Sequence, residues 1–116
     1  MHPSPRRPNP MQGFQLTFFT QQDHRHDGKS LAHWLVEKAR AMGVGGATLL
    51  AGAEGFGHHR HLHAAHLIRF TDQPLEVVMA VTAEEADRFF AMLKTEKIKV
   101  VYSKTPVEFG TLGEEQ

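Results

Sequence analysis

Five of the nine histidines crowd into one short run, His58-His59-Arg60-His61-Leu62-His63-Ala64-Ala65-His66. Imidazoles titrate near neutral pH and can ligate metals. Just before them stands Glu54-Gly55-Phe56-Gly57, where the glycines let a ligand approach the main chain closely. No short structural loop needs that much titratable nitrogen, so a site is expected between Gly43 and Phe70. Two chemistries fit. In an extended segment His59, His61 and His63 share one face, and two or three imidazoles from one strand can hold zinc, copper or nickel. Selectivity for one of them then needs further ligands and a second shell. Arg60 and Arg69 suit an anion instead. The plain alternative is a bulged strand end with Phe56 under a hairpin and a solvated histidine loop; all three stay open on residues alone.

A second place for an anion is Lys29, which precedes Ser30 at the start of a helix, where free N–H groups point outward. His24, His26 and Asp27 read as a solvated polar loop. Nothing favours catalysis. The chain has no cysteine nucleophile, no G-x-S-x-G elbow and no complete phosphate loop, so it is not expected to be an enzyme.

These residues need a scaffold, and the hydrophobic periodicity supplies one. Phe14, Leu16 and Phe18 alternate with polar neighbours and predict a strand over 13–20. Ser30 can cap a helix whose stripe is Leu31, Trp34, Leu35, Ala39 and Met42, with Lys38 lying along it. That helix is predicted over 31–42, stopped by Gly43. Strands follow at 45–53, 65–70 and 75–81. Thr82-Ala83-Glu84-Glu85 has the spacing of a capping box and opens a second amphipathic helix ending near Lys94. A last strand is predicted over 98–103. The order strand–helix–strand, extra strand, strand–helix–strand describes an α+β, ferredoxin-like split βαβ sandwich, an antiparallel sheet with two helices on one face. The strands are also apolar on the other face, at Phe19, Leu50, Val78, Ala80 and Val101. A sheet apolar on both sides needs a second cover, which points to an oligomer.

Composition bounds the rest. At 116 residues the chain is read as one domain over 13–108, with a proline-rich disordered tail at 1–12 and a flexible one at 109–116. Thirteen basic residues balance thirteen acidic ones, so nothing argues for nucleic acid. The first residues have no apolar run to make a signal peptide. No stretch reaches the ~20 apolar residues that span a bilayer, so direct membrane insertion is not expected and the domain is read as soluble and cytoplasmic.

Val36-Glu37-Lys38-Ala39-Arg40-Ala41-Met42-Gly43, Gly46-Ala47-Thr48 and Glu54-Gly55-Phe56-Gly57, in that order and spacing, resemble the PII-like family known as domain of unknown function 190. The resemblance covers about residues 13–108. That family is similar to the PII signalling proteins and the CutA proteins, which are homotrimers. The resemblance implies a PII-like trimer that binds a small anionic ligand, an adenine nucleotide among the options, between subunits. It also implies a regulatory target, a membrane transporter or an enzyme, reached through a mobile loop after Gly57. Gly55, Phe56 and Gly57 match the segment that borders the cleft in PII proteins, and His63 sits where the family usually has a histidine. Two departures are plain: Lys94-Thr95-Glu96-Lys97 stands in place of the phosphate-holding loop of PII, and His58 and His59 stand where small or hydroxyl residues are usual. The alternative is a CutA-like protein of divalent-metal binding or tolerance that uses His59, His61 and His63.

Overall fold

The structure is a computed structural model, and it describes residues 9–44, 47–51 and 74–113. The elements are β1 (Met11–Gln21), β2 (Arg25–His26), β3 (Lys29–Ser30), α1 (Leu31–Ala41), β4 (Ala47–Ala51), β5 (Pro74–Thr82), α2 (Ala83–Thr95) and β6 (Val101–Phe109). The main sheet has the order β4-β5-β1-β6 with every pairing antiparallel. This is the predicted split βαβ arrangement: β1 and β4 flank β5, and α1 crosses between them.

The alternation seen in sequence sets the layers. Leu16 and Phe18 on β1, and Val77, Met79 and Val81 on β5, are buried in a single cluster. Leu31, Trp34, Leu35 and Ala39 of α1 close that cluster together with Ala86, Phe89 and Leu93 of α2. Both helices therefore cover one face. On the other face Phe19 is 39% exposed and lies opposite Val101, which is 69% exposed, while Val78 and Ala80 are half-buried. The apolar second face predicted at these four positions is present. Leu50 pairs with Glu76 in the β4–β5 register.

Local chemistry accounts for the helix ends. The Ser30 hydroxyl accepts the His33 N–H at 3.2 Å, and the chain leaves α1 through Gly43 at φ +81°. That dihedral is open to glycine and strained for other residues. The capping box of α2 is complete: Glu85 N–H donates to Thr82 Oγ1 at 3.1 Å, and Thr82 N–H donates to Glu85 Oε1 at 2.9 Å. Lys38 lies along the apolar stripe as expected, its Nζ 5.3 Å from the Trp34 ring centroid.

Several boundaries move. The first helix ends at Ala41, with Met42 as its cap, and α2 runs one residue past Lys94. The closing strand is not 98–103 but Val101–Phe109. Ile98 and Val100 instead pack on the core edge after a turn at Lys97, φ +58°. The strand then runs through Pro106, which an edge strand tolerates because one side of its backbone needs no partner. At the other terminus β1 starts at Met11, opposite Phe109. The tails expected at 1–12 and 109–116 therefore give up Met11, Gln12 and Phe109 to the sheet. Beyond the ladder, the Asn9 side chain holds Thr111 at both backbone atoms, accepting its N–H at 2.8 Å and donating to its carbonyl at 2.7 Å. The strand predicted at 65–70 and the mobile loop predicted after Gly57 lie outside the described residues. Among the described residues no helix is long and apolar enough to cross a membrane.

Candidate ligand-binding site

The register gathers several elements at one end of the sheet. Gln21, the last residue of β1, pairs with Pro74, and the last pair of β4 and β5 is Ala51 with Leu75. Ala51 and Pro74, the described residues on either side of 52–73 with its Gly-Phe-Gly motif and histidines, thus both lie at this end. The β2–β3 hairpin and the start of α1 follow β1 here. So does the end of α2, because β6 begins opposite Phe19.

Seven predicted site residues, Gly55, Phe56, Gly57, His59, Arg60, His61 and His63, lie outside the described residues. Lys29 lies within them, on β3 at the same end of the sheet as the attachment points of 52–73. Its Nζ is 2.7 Å from Glu37 Oε1, nearly two helical turns into α1. The Lys29 hydrogen bond and charge hold the Glu37 carboxyl below the usual glutamate range, with smaller help from His33 and Arg40. An anion at the start of α1 would have to draw Lys29 away from Glu37. Both side chains are solvent-exposed, so the pair adds little to stability. What it adds is present above the ordinary glutamate pKa and lost as pH falls through the depressed one. Replacing Lys29 by glutamine should raise the Glu37 titration midpoint toward the normal range. Carboxyl-carbon NMR against pH reads that shift, and an unmoved midpoint would show that another group sets it.

Sequence reasoning missed the hairpin. Asp27 at φ +53° and Gly28 at φ +80° form its turn, the pattern favoured by Asp-Gly in two-residue hairpins. The Asp-Gly pair was the available signal, but the flanking strands are too short to show alternation. The hairpin carries His26 inward: its ring meets the Trp34 ring edge-on at 4.6 Å, and its Nε2 is 3.6 Å from Glu96 Oε1. That is just beyond hydrogen-bond reach, and this buried nitrogen has no hydrogen-bond partner. Exposed Lys94, Lys97 and Lys99, with exposed Glu96 among them, stand at the end of α2 and just after it. Among the described residues no group of three or more His, Asp and Glu side chains is placed to hold a metal ion.

The profile of domain of unknown function 190, described as uncharacterized ACR, matches residues 13–108. A UPF0166 protein of Aquifex aeolicus is 25% identical over 96 residues, covering 75% of this chain and 91% of that protein. Among solved structures, CPII of Thiomonas intermedia, bound to ADP, AMP and acetate, superposes with a TM-score of 0.58 at 15% identity. The match covers 90% of this chain and 94% of CPII. A Thermus thermophilus protein described as PII-like and signalling gives the same TM-score at 19% identity, covering 89% of this chain and 94% of that one. The fold is PII-like, and the chain belongs to the family of domain of unknown function 190.

Proposed function

We propose that the protein is a PII-like regulator rather than an enzyme. In this reading it forms a homotrimer in the cytoplasm and binds a small anion, in the first place an adenine nucleotide, in clefts between subunits. It acts on a transporter or an enzyme through the segment after Gly57. The observation that carries the reading is the shared fold over nearly the whole chain with CPII, whose structure holds ADP and AMP. The apolar face at Phe19 and Val101 supports an oligomer, since such a surface is costly to leave in water. The ligand would rest on Gly55, Phe56 and Gly57, with Arg60, His63 and Lys29 supplying charge.

The test is a melting screen of the full chain against ADP, AMP, ATP, acetate, zinc and nickel. A ligand that binds only the folded protein stabilises it by about 2.7 kcal/mol at a hundredfold excess over Kd. Adenine nucleotides should raise the melting temperature, and Gly57→Val should abolish that rise while leaving the oligomer intact. Joint replacement of His59 and His61 by alanine, sparing His63, should leave it unchanged. If metals alone stabilise the protein and replacement of His59, His61 and His63 together removes that response, the CutA-like reading replaces this one.

A further inference from the structure

Two side-chain contacts tie the β2–β3 hairpin to the two helices, and they start from cross-strand neighbours. His26 pairs with Lys29 in the hairpin, next to the pair of Arg25 with Ser30. Lys29 reaches α1, its Nζ 2.7 Å from Glu37 Oε1. His26 reaches the end of α2, its Nε2 3.6 Å from Oε1 of the C-cap residue Glu96. A hairpin this short has little stability of its own, so such contacts decide where it stands. The lysine contact is charged at every ordinary pH. The histidine contact is charged only when the ring is protonated.

A small displacement separates this contact from a strong bond. The His26 ring stands edge-on against buried Trp34, and Nε2 is shielded from solvent with no hydrogen-bond partner among the described residues. Charge-assisted N–H···O bonds measure about 2.7–2.9 Å, so Glu96 Oε1 is about 0.7 Å too far. The Glu96 backbone is pinned, its N–H donating to the Met92 carbonyl at 3.0 Å, but its side chain is 39% exposed and can turn. In the neutral ring the tautomer decides whether Nε2 donates or accepts; in the cation it donates. A cation is also favoured at a helix C-terminus, where a lone carboxylate is not. The other charged or titratable groups nearby are engaged or lie to the side. On the hairpin, Arg25 donates to the Gly28 carbonyl at 2.7 Å, with Asp27 at the turn and His24 at the base. On α1, Glu37 is taken by Lys29, His33 by the Ser30 hydroxyl, and Lys38 lies over the Trp34 ring. Lys94 and Lys97 stand on either side of Glu96 in the chain.

We propose that His26 and Glu96 form a proton-operated latch: the imidazolium closes on the carboxylate and clamps the hairpin, with Lys29 on it, against the end of α2. Closure needs imidazolium and carboxylate together. The latch is therefore shut between the ordinary carboxylate and imidazole titrations, at about pH 5.5, and open at about pH 8. When it opens, the Lys29–Glu37 pair still ties the hairpin to α1, but the tie to α2 is gone. Lys29 then stands on a looser mount at the start of α1. The latch does not depend on which ligand binds.

Amide exchange of the full chain, read by NMR at about pH 5.5 and about pH 8 and corrected for the intrinsic effect of pH, tests it. Two amides report on the hairpin base: Leu31 N–H, which donates to the His24 carbonyl at 2.7 Å, and His24 N–H, which donates to the Gln21 carbonyl at 3.0 Å. Each is taken relative to the amide of buried Val77. In the wild type both reporters should be at least about threefold better protected at the lower pH. The difference should vanish in His26→Gln and in Glu96→Gln. Equal relative protection at the two pH values in the wild type would overturn the latch, and so would a difference that survives Glu96→Gln. Glu96 is exposed and outside the core, so this second variant keeps the test decisive if His26→Gln fails to fold. Failure of every nucleotide in the melting screen would remove the ligand reading and leave the latch standing.

Discussion

Phe18→Ala should destabilise the folded chain by about 3–5 kcal/mol, the range for removing a buried phenylalanine. Phe18 is wholly buried, at the centre of β1 between Val77 and Tyr102. Its ring lies 5.6 Å from that of Phe89 and 6.1 Å from that of Phe90. Truncation therefore removes apolar burial, opens a cavity between sheet and α2, and breaks three tilted aromatic contacts at once, with Phe89, Phe90 and Tyr102. Set against a total stability of about 5–15 kcal/mol, this is a large share. The next residue gives the contrast: Phe19 points to the other face and is partly exposed, so Phe19→Ala should cost the isolated fold little and weaken self-association instead. Urea denaturation reads the first effect. A loss below about 1.5 kcal/mol would mean that α2 collapses into the gap and that the core is not built around this ring.

Gly13→Val should be nearly as damaging, through crowding rather than loss of contact. Gly13 pairs with Thr82 on one side and Val107 on the other. A Cβ at this position would overlap the Val81 carbonyl oxygen and come within 2.9 Å of the Phe109 ring. The carbonyl belongs to the main chain of the neighbouring central strand and cannot rotate away. Overpacking of a well-packed site typically costs about 1–3 kcal/mol, and here the strands must separate as well. Amide exchange in the variant should accelerate around Gly13 and Val107 before the rest of the sheet. Wild-type exchange rates there would show that the strands absorb the side chain.

Much of the fold was legible in the sequence because its signals are local. Alternation at Phe14, Leu16 and Phe18 marked β1, the Thr82–Glu85 spacing marked the start of α2, and Gly43 marked the end of α1. Phe19, breaking the polar side of its strand, revealed the second apolar face. What was misread depends on neighbours distant in sequence. The last strand was expected to end at Ser103, and Pro106 beyond it is a residue unfavourable in a paired strand. Only its place at the sheet edge, beside β1 alone, makes Pro106 acceptable.

The candidate site was less legible. The types and spacing of Gly55, Gly57 and the histidines suggested ligand chemistry without choosing between anion and metal. That Lys29 stands at the same end of the sheet as the ends of 52–73 follows from the pairing of β1 with β5, which no local pattern encodes. The meeting of Phe90, Ile98 and Tyr102 beside α2 was invisible for the same reason, since it forms only when β6 docks on β1.

The central claim is an adenine-nucleotide-binding trimer, and native mass spectrometry of the full chain in the presence of ADP tests it most directly. The predicted result is a species of three times the 13.0 kDa chain mass that carries ADP, with the nucleotide but not the trimer lost in Gly57→Val. A monomer at micromolar concentration, or a trimer that takes up no adenine nucleotide, would contradict it.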